Sequence, residues 1–148
     1  MGLISKQIRD FLDSQKLGYV ASVSDDDAPN LSPKGTIIGW DSDTLAFADI
    51  RSPDTMRNLQ NNPLVEINVI DPLLRKGFLF KGKSRILKNG KTFDDILNHY
   101  RNKGIKSPIN AIVLVDVTDV QSVTSPLYDL GVTKDEIKSK WKKHFAES

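Results

Sequence analysis

The chain has 148 residues, of which 39% are hydrophobic, 27% charged and 7% aromatic, with a formal net charge of +2. That length suits one domain able to bury about 70% of its unfolded surface. With no cysteine, disulfide frameworks, thiolate metal sites and cysteine nucleophiles are excluded.

The longest apolar run, Ala111–Val115, is strand-sized. Nothing approaches the ~20 apolar residues of a membrane span. Met1–Ser14 interleaves apolar residues with Lys6, Arg9, Asp10 and Asp13, unlike a secretory signal; a cytoplasmic address is expected. The charge is uneven: Asp25, Asp26 and Asp27 lie near the start, and Lys134, Lys138, Lys140, Lys142 and Lys143 near the end. Such a basic run reads first as a solvated helix face, because a nucleic-acid footprint raises the charge of a whole domain.

In chain order, Leu3, Ile4, Ile8, Phe11 and Leu12 recur at helical spacing, predicting a helix over Ser5–Gln15 that ends by Gly18. Gly18–Ser24 alternates as a strand, with Tyr19, Ala21 and Val23 on one face. A turn at Asp25–Pro29 leads to a second strand, Asn30–Trp40, and a tight turn at Asp41–Asp43 to a third, Thr44–Ala48. Ser52-Pro53-Asp54 predicts a helix start in which Ser52 caps, Pro53 takes the first helical position and Asp54 complements the dipole. That helix ends before Asn62-Pro63. Strands follow at Leu64–Ile70 and Gly77–Leu87, separated by Asp71-Pro72 and a short basic loop. Thr92–Asn102 is a helix with Phe93, Ile96, Leu97 and Tyr100 on one face, and Ala111–Val123 is the last strand. After the irregular stretch Thr124–Val132, Thr133 and Glu136 form a capping box for a final helix through Phe145.

The pattern gives about six antiparallel strands and about four short peripheral helices. Three strands follow one another through turns alone, so a closed, Greek-key-like barrel fits better than a doubly wound parallel sheet. The chain reads as one domain over 1–148, with 124–148 a tail and helix docking on the barrel or on a partner.

Much familiar chemistry is missing. His99 and His144 are the only histidines and neither has a second ligand at metal spacing; His99 is expected at the surface and His144 at a helix end. No glycine-rich dinucleotide loop and no phosphate loop is present. What remains is Asn30–Asn58. Pro33 denies a ladder hydrogen bond and Gly35 permits close approach of a backbone or ligand. Ala48–Asn58 leads a strand into a helix whose free amides, with Arg51, Ser52, Thr55 and Arg57, suit an anion. The same residues also read as a plain helix start needing no ligand, and Asp54 would repel a phosphate on its own side.

Asn30-Leu31-Ser32-Pro33-Lys34-Gly35-Thr36, followed by Phe47–Pro53, Asn68–Pro72 and Gly77–Gly82, resembles the small flavin-nucleotide-binding members of the pyridoxamine 5'-phosphate oxidase-like group. The resemblance spans roughly residues 5 to 123, and Ser125–Asp129 is similar to the tail of the same members. It implies an FMN-binding split barrel, mainly β with peripheral α, working as a homodimer with cofactor sites at the subunit interface. The cofactor-binding positions it implies are Ser32, Pro33, Lys34, Gly35, Thr36, Asp49, Arg51, Ser52, Thr55, Arg57 and Asn58. The first five run along the isoalloxazine and ribityl chain, and the strand-to-helix turn holds the phosphate. Lys34 faces the ring, faces the phosphate, or is a solvated strand lysine. Two departures stand out. Thr55 replaces a lysine of the true oxidases, and Trp141-Lys142-Lys143-His144 lacks their arginine–x–histidine element, so pyridoxamine phosphate oxidation is not expected.

The expected function is therefore an FMN-binding flavoprotein, an oxidoreductase whose substrate and electron donor the sequence does not name. Two alternatives stand beside it. One is a split barrel using deazaflavin or haem, haem being the weaker because neither histidine lies in the flavin motif. The other is a non-catalytic module binding nucleic acid or protein through Lys81, Lys83, Arg85 and the basic tail, although stacking aromatics are sparse there.

Overall fold

The structure is a computed structural model that describes residues 2–147. Helix α1 spans Lys6–Ser14, strands β1 to β4 span Gly18–Val23, Pro29–Lys34, Ile38–Gly39 and Thr44–Asp49, and α2 spans Pro53–Asn61. Strands β5, Leu64–Asp71, and β6, Lys76–Leu87, form a hairpin. Helix α3, Lys91–Asn102, then precedes β7, Ala111–Thr124, and a single 3-10 turn at Pro126–Tyr128 leads to α4, Lys134–Ala146. All seven strands join one antiparallel sheet in the order β2-β1-β5-β6-β7-β4-β3.

That order forces curvature. Strands β2 and β3 sit at opposite ends of the sheet, yet only residues 35–37 separate them in the chain. Laid flat, six inter-strand steps of about 4.8 Å would put the edges roughly 29 Å apart. The link reaches about 14 Å at full extension. The sheet therefore curls as expected, into a half-barrel whose two edges approach along a seam, with no strand pairing between β2 and β3 among the described residues. The expected single strand Asn30–Trp40 is in fact two short strands, which makes seven rather than six. Pro33 and Gly35 mark the break, and the two pieces serve opposite edges.

Packing explains which strands alternate and which do not. Inside the barrel lie Val20, Leu45, Phe47, Ile67, Val69, Phe80, Val113 and Val115, closed by Ile4 and Leu12 near one helix and Met56 and Leu59 from another. Ala46, Ala48, Ile112 and Leu114 face the other way and are covered by Ile96 and Tyr100 of α3. Strands β4 and β7 are thus buried on both faces where they pair, which is why Leu45–Ala48 and Ala111–Val115 read as continuous apolar runs. The Tyr100 hydroxyl donates to the Thr36 carbonyl at 2.7 Å, and the Thr36 hydroxyl accepts from the Ala48 amide at 2.9 Å. These two bonds stitch the seam to β4 and α3.

Gly77 of β6 pairs with Ile70 of β5. A Cβ there would lie 2.0 Å from the Val69 carbonyl oxygen. The obstacle is backbone, not a flexible side chain. Gly77→Ala is therefore expected to destabilise the fold by about 3 kcal/mol, lowering the thermal midpoint by about 6–12 °C when followed by circular dichroism.

Candidate functional site

Strand β4 ends at Asp49, and after three residues the chain enters α2 with Pro53 at the first position. The expected Ser52 cap does not form: its side chain makes no capping hydrogen bond. The Ser52 hydroxyl instead donates to Asp49 Oδ1 at 3.0 Å and accepts from the Lys34 ammonium. The Ser52 amide also donates to Asp49 Oδ1, at 3.2 Å. Asp49 has drawn the serine away from the helix, so no hydroxyl covers the first-turn amides of Asp54 and Thr55.

Lys34 is 9% exposed, which overturns its reading as a solvated strand lysine. Burial pushes its ammonium below the ordinary lysine range, and the charge of Asp49 pulls it back. The positive end of α2 also disfavours a cation beside it. Lys34 and the helix terminus thus make an electropositive corner that one carboxylate only partly offsets. Exposed Arg51 lies next in the chain to Ser52 and has no ion-pair partner among the described residues. A buried cation, free amides and a nearby guanidinium form a donor set that fits a phosphate.

The other implied residues divide by position. Thr55, 1% exposed, donates to Asn30 Oδ1 at 3.5 Å, and the buried Asn58 amide donates to Ser22 Oγ at 3.1 Å. Both tie α2 to the β1–β2 hairpin. Arg57 is exposed and ion-paired with Asp54. It lines a groove of about 400 Å³ shared with Asp25, Asp26 and Asn58, an acidic setting for an anion-binding arginine. Ser32 is half-buried, Pro33 and Gly35 are exposed at the seam edge, and Thr36 is occupied by the scaffold bonds above. The structure therefore brings together Lys34, Asp49 and Ser52, with Arg51 adjacent.

Three features were not read from the sequence. His99 is half-buried rather than at the surface, its ring 6.0 Å from Trp40 and 6.2 Å from Tyr100. It is three residues beyond buried Ile96, so a wider helical stripe would have included it. The outer face of β1–β2 is apolar: Tyr19 sits opposite Pro33, Ala21 opposite Leu31 and Val23 opposite Pro29. Leu31 is 66% and Tyr19 41% exposed. Finally, Arg75 lies over the Trp141 ring, 3.5 Å from its centroid. Among the described residues no group of three or more His, Asp or Glu is placed to hold a metal, and no helix is long and apolar enough to cross a membrane.

Residues 4–124 match the model of the pyridoxamine 5'-phosphate oxidase family. The fold is similar to that of HupZ from Group A Streptococcus, at 24% identity and a TM-score of 0.74, over 83% of this chain and 96% of that one. It is also similar to an FMN-binding protein from Syntrophomonas wolfei subsp. wolfei, at 16% identity and a TM-score of 0.68, over 81% of this chain and 86% of that one. An F420 reductase aligns at 21% identity and a TM-score of 0.59, over 80% and 98% of the two chains. No curated protein sequence matches the chain significantly.

Proposed function

The chain belongs to the pyridoxamine 5'-phosphate oxidase family, and from that premise we propose that it is a cytoplasmic, homodimeric FMN-binding flavoprotein acting in oxidoreductase chemistry. The observation that carries this reading is the Lys34–Ser52–Asp49 chain at the uncapped amino terminus of α2. Lys34 and the first-turn amides hold the phosphate, with Arg51 closing over it from the surface and Ser52, bonded to Asp49 through its hydroxyl and amide, positioning the Lys34 ammonium. Asp49 sets the Ser52 hydroxyl and keeps the Lys34 ammonium charged. Thr55 and Asn58 position the helix through Asn30 and Ser22. Strand β2 runs from this corner along the seam, and Ser32 on it and Gly35 just after it lie toward the ribityl chain and ring. FMN, when bound, supplies hydride and single-electron transfer, and the protein's part is orientation and electrostatics. The exposed apolar face of β1–β2 supports a second subunit packed there.

A deazaflavin is the second reading, favoured by the likeness to a protein described as an F420 reductase. The nucleic-acid reading finds little support: Lys81 lies 3.6 Å from Glu66, and Arg85 grips Asp116 through two bonds of 2.8 and 2.9 Å.

The test is the visible spectrum after mixing purified protein with FMN and removing free cofactor by gel filtration. Retained yellow colour at about one flavin per subunit, eluting at dimer size, is expected; a colourless protein after saturation overturns the FMN reading. Titrating F420 in parallel tests the second reading. Arg51→Ala is expected to weaken FMN binding by about 1–3 kcal/mol, and Thr55→Ala, which removes only the bond that positions α2 on Asn30, by less. Unchanged affinity in both would place the phosphate elsewhere.

A further inference from the structure

Strand β6 hands over to α3 through Lys88-Asn89-Gly90, three exposed residues outside any helix or strand. Gly90 holds φ of 100° and stands at the amino end of α3, where no side chain caps the helix. Among the described residues, no hydrogen bond engages the Asn89 side chain or the Gly90 amide. A Cβ built on Gly90 would meet nothing within 4 Å.

An asparagine carboxamide and the backbone nitrogen of the residue after it can close a five-membered ring. In a folded chain three things oppose that closure: a hydrogen bond on the nitrogen, a side chain crowding it, and a backbone held in a helix or strand. All three are missing at Asn89, the only asparagine of the chain that precedes a glycine. The others are protected. Asn30, Asn58, Asn61, Asn68, Asn98 and Asn102 lie within helices or strands, Asn62 precedes Pro63, which has no N–H, and Asn110 precedes Ala111 of β7.

We propose that Asn89 is a self-modifying site, converted in the folded protein to aspartate and isoaspartate through a succinimide. The Gly90 nitrogen gives its proton to water or hydroxide and attacks Asn89 Cγ. The carboxamide C–N bond breaks and ammonia leaves. Water then opens the ring. Addition at Cγ restores the ordinary backbone as aspartate, and addition at the Asn89 backbone carbonyl leaves the chain running through Cγ as isoaspartate. Nothing is oxidised or reduced; amide and water become acid and ammonia. The positive end of α3 favours both the negative charge that develops on the nitrogen and the carboxylate that results. Only the Gly90 nitrogen is consumed, so the Gly90 carbonyl still accepts from the Asp94 amide, at 2.9 Å, and α3 keeps its first bond. The open space around Gly90 admits the ring without displacing a neighbour.

The test incubates the folded chain in mildly alkaline buffer made with heavy-oxygen water, followed by digestion with a protease that cuts before aspartate but not before isoaspartate. The resulting peptide 71–93 has Asn89 as its one asparagine. Two products are expected by mass spectrometry, each with amide replaced by acid and one heavy oxygen taken up. Isoaspartate leaves 71–93 uncut, and aspartate lets it be cut before residue 89. Asn89→Gln, which would have to close a six-membered ring, is expected to abolish both products while its circular dichroism melt stays that of the wild type. In the folded chain Asn89 is expected to react at least about tenfold faster than any other asparagine, and within about tenfold of its own rate in urea-unfolded protein. The proposal is overturned if peptide 71–93 of the folded chain stays unmodified over the time in which the urea-unfolded chain converts, since the turn would then protect Asn89. It is equally overturned if another asparagine of the folded chain reacts as fast, or if heavy oxygen enters the wild-type and Asn89→Gln peptides alike.

Discussion

Lys34→Met is expected to move apo stability and FMN affinity in opposite directions. The apo protein should unfold at the same temperature or higher, with a gain of up to about 1 kcal/mol, because a buried ammonium beside a positive helix end is removed and an apolar stem of similar length remains. Asp49 still accepts from the Ser52 amide and hydroxyl, so the substitution leaves it no bare carboxylate. FMN affinity should fall by about 1.5–3 kcal/mol, the size of a charged hydrogen bond, or about 10- to 150-fold. Calorimetric melting and a flavin titration read the two quantities. Lower stability with unchanged affinity would make Lys34 a structural residue.

The same lysine gives a pH signature. Its folded pKa lies below the ordinary value of 10.5. Between those two values the unfolded chain still holds a proton that the folded chain has released, so wild-type stability rises with pH relative to Lys34→Met. Below the folded pKa both states are protonated and the full cost of the buried charge persists. FMN affinity should fall through that same window, as the ammonium facing the phosphate is lost, and Lys34→Met should show neither trend.

What was legible in the sequence was mostly local. Turn residues placed the hairpins, Asp71 fixed its own turn by accepting from the Leu73 and Leu74 amides, and continuous apolar runs marked the doubly buried strands. The split of Asn30–Trp40 was not legible, since a change of strand partner leaves no period of its own. Ser52 failed as a cap because Asp49 competes for its hydroxyl, a contest only the folded turn reveals. Strand β2 shows the deeper reason for the partial reading of the site. Its apolar residues Pro29, Leu31 and Pro33 are exposed, and its polar residues Asn30, Ser32 and Lys34 are half-buried or buried. A strand with its polarity reversed breaks the rule by which faces are assigned, and such local violations gather at functional sites. The Arg75–Trp141 pair lay out of reach for a simpler reason: 66 positions of chain separate its members.

The reversed polarity of β2 also decides where the second large effect falls. Leu31→Glu is expected to convert the dimer to a monomer at micromolar concentration in sedimentation velocity. Leu31 is 66% exposed in the single chain and pairs with Ala21, between the Tyr19–Pro33 and Val23–Pro29 pairs. With the proposed partner seated on that face, the new carboxylate would be desolvated without a counter-charge, costing several kcal/mol. In the free chain the same glutamate is solvated on an edge strand, so the fold should melt as the wild type does. Its effect on the cofactor is more discriminating. Leu31 points away from the Lys34 corner, so loss of FMN affinity in this variant can only come through assembly. A ligand that binds the dimer and not the monomer stabilises the dimer by mass action, so saturating FMN should sharpen the wild-type dimer and partly rescue Leu31→Glu. A Leu31→Glu protein that stays dimeric with full affinity would put the interface elsewhere. A monomer that keeps full affinity would mean that one chain holds the whole site, with Lys34 and the α2 terminus binding the phosphate unaided.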